Sequence, residues 1–327
     1  MTKIDIISGF LGAGKTTFAN MLLRHYMESG LRPVYIVNEI GESGIDAEVM
    51  KADGFHAVEV EGGCICCTLK GDIANAMAKV MDTFSPTNIV FEPSGIFIFD
   101  NFIDILRNFE NRCVLGNVFT IVDSINFPFS KAAYGSFIYN QIKNAAVIIL
   151  SKLERAKNYA KNHEEINQGI DGINKINGKI NGKINEIDEI LCDIKNINPN
   201  VFIMSKIWAE WDKEDFEILL SQEKPLHMNH HAHHHNDFKS LTVKLTKPFT
   251  EEEIDNFISS CTAGAFGDLC RVKGVIMLQQ QPMLLNIAMQ DTVMKKFSAV
   301  SNFAITFIGQ AVDEEKILCI QHIETQS

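Results

Sequence analysis

Residues 9–17 read Gly9-Phe10-Leu11-Gly12-Ala13-Gly14-Lys15-Thr16-Thr17. The first eight match G-x-x-x-x-G-K-[ST], a loop whose glycines let main-chain N–H groups wrap phosphate oxygens. The short apolar run at 4–8 precedes it as a strand. A helix opens at Lys15 and points its positive N-terminal end at the anion. In this strand–loop–helix setting Gly9, Gly12, Ala13, Gly14, Lys15, Thr16 and Thr17 are the candidate phosphate cradle. Lys15 is placed to reach the β- and γ-phosphates, and the Thr16 hydroxyl to ligate Mg²⁺.

Outward from the loop, further runs at 34–38, 88–92, 118–123, 146–151 and 201–205 are short, β-branched and without polar alternation, as for strands covered on both faces. Stretches long enough for crossover helices separate most of them. The pattern predicts an α/β fold of the P-loop NTPase kind, a doubly wound and mainly parallel sheet. A phosphate loop needs a carboxylate at a strand end. Glu92 closes the run 88–92 and is followed by Pro93-Ser94-Gly95, so Glu92 is the candidate Mg²⁺ ligand and the Gly95 N–H a candidate γ-phosphate sensor. Asp123 is the second candidate. At the next strand end stands Ser151-Lys152-Leu153-Glu154, where GTPases carry Asn-Lys-x-Asp. The Lys152 stem can cover a purine and the Glu154 carboxylate can accept the two donors of guanine, so the expected nucleotide is GTP rather than ATP.

Residues 163–198 contain INGKINGKIN at 176–185, yet isoleucines recur every three or four positions, one face of a helix. The expectation is an expanded amphipathic helix softened by Gly169, Gly172, Gly178 and Gly182, ending before Asn198-Pro199; an insertion without order is the alternative. Six of the ten histidines crowd into 227–235, HMNHHAHHH. Beyond it come runs at 241–245, 269–278, 283–288 and 303–308 as strands, 250–261 as a helix with Thr250 as N-cap and Glu253 at the capping-box position, and 313–323 as a closing helix. Adjacent strands indicate antiparallel pairing, so the chain divides into a P-loop domain at 1–224, a histidine-rich linker at 225–238 and a smaller α+β domain at 239–327.

A net charge of −11 over 327 residues argues against nucleic-acid or anionic membrane partners. No apolar run reaches membrane-spanning length, no signal peptide is visible, and the expected location is cytoplasmic. Eight cysteines are too few for a disulfide scaffold. Three of them, Cys64, Cys66 and Cys67, lie within four residues, a thiolate set suited to Zn²⁺, Co²⁺ or Ni²⁺ with one position left open. Small buried hydrophobes or a redox pair are the other readings of these cysteines. In the tract, His230, His231, His233, His234 and His235 can bind metal weakly, their spacing fitting no single rigid site.

Together these motifs resemble the CobW-type family of P-loop GTPases, metallochaperones associated with cobalamin synthesis and zinc handling. The resemblance rests on GFLGAGKTT at 9–17, NEIGESGID at 38–46, GCICC at 63–67, EPSG at 92–95, CRVKG at 270–274 and FIG at 307–309. It implies GTP hydrolysis coupled to delivery of a divalent metal to a client metalloprotein, with zinc preferred over cobalt or nickel. It places Glu39 and Glu42 in a switch-like loop, Glu42 being the candidate extra metal ligand. A maturation factor for a cobalt/corrinoid or nickel enzyme, and a metal-buffering module with vestigial GTPase activity, are the alternatives. Oligomeric state is open, with a homodimer among the options. Ser151 and Glu154 depart from the usual base-recognition residues, and no arginine finger can be named.

Overall fold

The structure is a computed structural model describing residues 1–38, 45–60, 69–95, 99–155, 185–222, 238–288, 291–297, 303–320 and 322–323. A seven-stranded sheet is built from β1 (Thr2–Gly9), β2 (Pro33–Val37), β3 (Ala57–Glu59), β4 (Asn88–Glu92), β5 (Cys113–Asp123), β6 (Val147–Ser151) and β7 (Phe202–Met204). Its order is β3-β2-β4-β1-β5-β6-β7, and every neighbouring pair runs parallel. Helices α1 (Lys15–Glu28), α2 (Ile45–Ala52), α3 (Leu69–Phe84), α4 (Phe99–Arg107), α5 (Phe127–Asn144), α6 (Asn185–Ile197) and α7 (Lys213–Leu220) complete this layer system.

The continuous apolar runs are explained by burial on both faces. On one, Ile7, Tyr35, Val37, Val90 and Phe119 pack against Phe18, Leu22 and Leu23 of α1 and Phe216 and Leu219 of α7. On the other, Ile4, Ile6, Val34, Ile36, Ile89 and Phe91 meet α3 and α4, while Ile148 and Leu150 meet α5 and α6. The isoleucine stripe is real within the described residues: Ile190 and Ile194 of α6 are buried against α5, and α6 ends before Asn198-Pro199. Residues 163–184 and the histidine tract lie outside the described residues.

The second sheet takes β8 (Lys239–Lys244), β9 (Gly267–Leu278), β10 (Gln281–Ala288), β11 (Asp291–Lys296) and β12 (Ala304–Val312) in the antiparallel order β11-β10-β9-β12-β8. Helix α8 (Glu251–Thr262) lays Ile254, Phe257 and Cys261 on one face, against Val272, Ile276, Leu285 and Phe307. It begins with the expected capping box: Thr250 Oγ1 accepts from Glu253 N–H, and Glu253 Oε2 accepts from Thr250 N–H at 2.8 Å. Cys270 and Ile308 join Phe10, Leu11 and Tyr134 of the first domain in one apolar cluster, with Phe10 stacked on Tyr134 at 4.8 Å. That cluster seats the second sheet on the phosphate loop.

Three elements differ from expectation. The edge strand β3 has only three residues, and β11 alternates no clear apolar face, so neither stands out in the sequence. The closing helix is α9 (Glu314–Leu318) rather than 313–323. Beyond it Thr246 N–H donates to the His322 carbonyl at 2.8 Å, and Ile323 bridges to Leu245. His322 stacks on Phe249 at 4.0 Å; burying these two side chains against the sheet outweighs further helix. Among the described residues no helix is long and apolar enough to cross a membrane.

One buried carboxyl stabilises the meeting of β1, α1 and β5. Asp5 accepts from Tyr26 Oη at 2.7 Å and from Asn117 N–H at 2.8 Å. Burial raises its pKa, and these donors offset part of the rise. A raised folded pKa means that the protonated form favours folding, so this site loses stability as pH climbs from the ordinary 3.8 through the raised value. Tyr26→Phe removes a donor to the charged form. We expect it to lower unfolding free energy by about 1–3 kcal/mol, more above the raised Asp5 pKa than below pH 4, as read by thermal unfolding across a pH series. A loss that is constant across the whole series would contradict this account.

Candidate functional site

The loop between β1 and α1 is held by two left-handed glycines with neighbours close by. Gly14 (φ +106°) is the N-cap of α1, and a Cβ there would lie 3.2 Å from the Trp208 ring. Gly12 (φ +75°) faces the second domain, where a Cβ would collide with Ala288. Gly9 ends β1 against Ile121. Lys15 is buried and its Nζ donates to the Phe10 carbonyl at 3.3 Å, across the mouth of the loop.

The Thr16 hydroxyl donates to Glu92 Oε1 at 3.0 Å, and the Tyr35 hydroxyl to Glu92 Oε2 at 2.6 Å. Glu92 is 5% exposed, and β4 delivers it beside β2, whose Val37 is its register partner. A hydroxyl and a carboxylate are hard oxygen donors of the kind Mg²⁺ takes, so the pair fits that ion. Asp123 stands elsewhere: it accepts from Lys152 Nζ at 2.7 Å and from the N–H groups of Ile125 and Asn126. Gly95 lies against the loop, where a Cβ would come within 2.6 Å of Leu11 N; its carbonyl accepts from buried Gln141.

At the end of β6, Ser151 Oγ donates to the Ala13 carbonyl at 2.7 Å. A serine thus ties the strap that carries Lys152 to the phosphate loop. Glu154 is exposed and is not among the side chains that line the cavity over the loop. Instead Asp291 of β11 binds Lys152 Nζ at 2.8 Å and Arg155 through both guanidinium arms at 2.8 and 2.9 Å. Burial alone would raise the Asp291 pKa; hydrogen bonds from Arg155 and Lys152, with their charges, hold it below the ordinary carboxylate range. Burial pushes the Cys270 thiol up to about 12, which makes it a small hydrophobe.

The cavity is about 460 Å³, within the size range of small-molecule sites. Its floor includes Gly12, Gly14, Lys15, Thr16 and Thr17, and its roof Arg271, Lys273, Asn286 and Lys295 of the second sheet. Tyr35, Trp208 and Asp291 carry no motif and were missed by sequence reasoning; the tyrosine and tryptophan look like ordinary packing residues. Glu39, Glu42, Cys64, Cys66, Cys67 and all the candidate histidines lie outside the described residues. Among the described residues no group of three or more His, Cys, Asp or Glu could hold a metal ion.

The family described as CobW/HypB/UreG, nucleotide-binding domain, matches residues 3–180, over half of the chain. The chain belongs to the CobW/HypB/UreG family. Residues 238–319 match the cobalamin synthesis protein cobW C-terminal domain, so this member carries both parts. It is 25% identical over 333 residues to the zinc chaperone YjiA of Escherichia coli (strain K12), covering 96% of each chain. It is 35% identical over 128 residues to the zinc chaperone CobW of a Sinorhizobium species, a match spanning 36% of each chain. The crystal structure of Zn(II)-bound YjiA GTPase from E. coli aligns over 97% of this chain and 96% of that one, at 17% identity and TM-score 0.39. The hydrogenase maturation factor HypB from Archaeoglobus fulgidus aligns over 67% and 89%, at 15% identity and TM-score 0.46.

In this family member Tyr35 orients the carboxylate that faces Thr16. We expect Tyr35→Phe to leave the fold intact, cost about 1–3 kcal/mol for the deprived carboxylate, and raise the Mg²⁺ concentration needed for nucleotide binding. Calorimetric titration of nucleotide across a Mg²⁺ series checks it. An unchanged Mg²⁺ requirement would remove Tyr35 from the site.

Proposed function

We propose that the protein is a GTP-hydrolysing metallochaperone that binds zinc at Cys64, Cys66 and Cys67 and passes it to a client metalloprotein. The observation that carries the nucleotide half is the junction of Lys15, Thr16 and Glu92 at the mouth of a glycine-rich loop. Lys15 leaves its loop carbonyl to meet the β- and γ-phosphates, while the N–H groups at 12–17 wrap them. Thr16 and Glu92 would hold Mg²⁺, which when bound would neutralise phosphate charge. A water oxygen bonds to the γ-phosphorus as the bond to the β–γ bridging oxygen breaks, giving GDP, phosphate and a proton. Lys152, which lines the cavity, covers the base, Ser151 holding its strap to Ala13, while Glu154 stands outside that lining.

The metal half is supported by family membership, by the CxCC thiolates, and by a relative matched along nearly its whole length that is named a zinc chaperone. In the sequence, the segment with Glu39 and Glu42 follows β2 directly and the thiolate segment follows β3. A γ-phosphate that orders the first segment moves Glu42 relative to the thiolates. The histidine tract serves as a loose reservoir.

Lys15→Ala should abolish GTP hydrolysis while circular dichroism still shows the fold of the parent, because the Lys15 side chain lines the cavity over the loop. Parental turnover in that variant would refute the cradle. In competition, GTP should displace ATP. Zinc affinity, read by competition with a chromophoric chelator, should be about 5–150-fold tighter with a non-hydrolysable GTP analogue than with GDP. Cys66→Ser and Cys67→Ser should each weaken it. Equal affinities in the two nucleotide states would disprove the coupling, and unaltered affinity in both serine variants the metal site.

A further inference from the structure

Asp291 accepts a pair of hydrogen bonds that copies part of a nucleobase. Its side chain is 10% exposed and lines the cavity over the phosphate loop. Arg155 holds it through both arms of the guanidinium fork, Nη1 donating to Oδ2 at 2.9 Å and Nη2 to Oδ1 at 2.8 Å. Guanine contains a guanidine unit of its own. Its ring N1–H and its exocyclic amino group point the same way from one edge, as the arms of an arginine fork do. Adenine presents a ring-nitrogen lone pair at that edge, which a carboxylate repels.

Two anchors fix where this carboxylate stands. Asp291 opens β11 as the register partner of Ala288, and Ala288 lies so close to Gly12 that a Cβ on the glycine would collide with it. Lys152 follows Ser151, whose Oγ donates to the Ala13 carbonyl at 2.7 Å. The acid and the lysine are thus tied to adjacent residues of the phosphate loop, one from each domain. Lys152 Nζ donates to Asp123 at 2.7 Å and to Asp291 at 2.8 Å. Its backbone is left-handed, at φ +60°, a conformation that is costly with a Cβ and that gathers at ligand sites. Glu154, two residues further on, is exposed and outside the cavity lining.

The two cations on Asp291 differ in freedom. The Lys152 side chain is 15% exposed and that of Arg155 is 53% exposed, so the arginine head can return to water at small cost. When a guanine edge takes its place, two N–H donors replace two, and Lys152 keeps its own bond. The carboxylate loses no partner in the exchange.

We propose that Asp291 of the second domain is the carboxylate that reads guanine, and that Arg155 fills its place until the base arrives. The inference rests on the GTPase reading above and supplies the acceptor that Glu154 does not bring to the cavity. Guanine releases Arg155 to solvent, while Lys152 keeps Asp291 charged and lays its stem on the base. An adenine nucleotide has no paired donors to give in exchange, so Asp291 keeps Arg155 and the base finds its place taken. Selectivity comes from a buried carboxylate that only one base can satisfy.

The test uses the full chain, with nucleotide affinities read by calorimetric titration. Asp291→Asn should weaken GTP by about 10–100-fold, the effect of a lost bond to a charged group, with a much smaller effect on ATP. The same variant should gain affinity for xanthosine triphosphate, whose base has a carbonyl where guanine has its amino group: the asparagine amide donates to that carbonyl and accepts from the ring N–H. An ion pair that merely joins the domains has no means of changing base preference in this way. Arg155→Met removes the occupant and should raise the preference for GTP over ATP; its side chain is half-exposed, so this variant answers even if the buried substitution unfolds the protein. The proposal is overturned if folded Asp291→Asn keeps the parental preference for GTP and gains nothing for the xanthine nucleotide, if Arg155→Met fails to raise the preference, or if Glu154→Gln erases it while Asp291→Asn does not. When the parent hydrolyses GTP and Lys15→Ala does not, those results condemn only the role of Asp291; a parent that neither binds nor hydrolyses GTP condemns the GTPase reading itself, and this inference with it.

Discussion

A carboxylate almost without solvent must be met by donors on each oxygen, and Glu92 is. Thr16 from α1 takes one oxygen and Tyr35 from β2 the other. This small network joins three neighbouring elements at the point where the phosphate loop ends. It explains the strand order, since β2 and β1 must both flank β4 for the tyrosine and the loop to reach the same side chain. It also explains why a residue as large as Tyr35 occupies the sheet interior: its ring packs in the core while its hydroxyl satisfies the acid.

The phosphate loop and the strand alternation could be seen in the sequence because both are dictated locally. A left-handed turn needs glycine, and a strand covered on both faces needs an unbroken apolar run. The capping box at Thr250 and Glu253 was legible for the same reason. What decided between Glu92 and Asp123 was not local: both end apolar strands, and only the order of strands puts one beside Thr16 and the other beside Lys152. The roof residues were hidden further. Arg271 and Lys273 sit in an apolar strand whose alternate positions fill a core, and nothing in one chain segment tells which domain the other face will meet. Asp291 belongs to a strand too polar to announce itself.

The two domains are held by different kinds of contact. Close to the loop, Gly12 and Ala288 approach so nearly that the smallest side chains are required on both sides. Beside them lies an apolar seat formed around Phe10 and Tyr134. On the far side of the cavity the link is ionic, two cations, Lys152 and Arg155, gathered on Asp291. Substitutions at the seat act through lost packing, and substitutions at the ionic link through unmatched charge.

This division gives the junction a hinge and a catch that respond to different conditions. Apolar packing does not weaken as ordinary electrolytes are added, whereas an ion pair with a half-exposed arginine is screened within a Debye length of about 8 Å at physiological ionic strength. Salt therefore slackens the catch at Asp291 while the hinge at Phe10 holds. The junction is therefore more sensitive to electrolyte at the exposed Arg155 arm of Asp291 than at the buried Lys152 arm or the packing around Phe10.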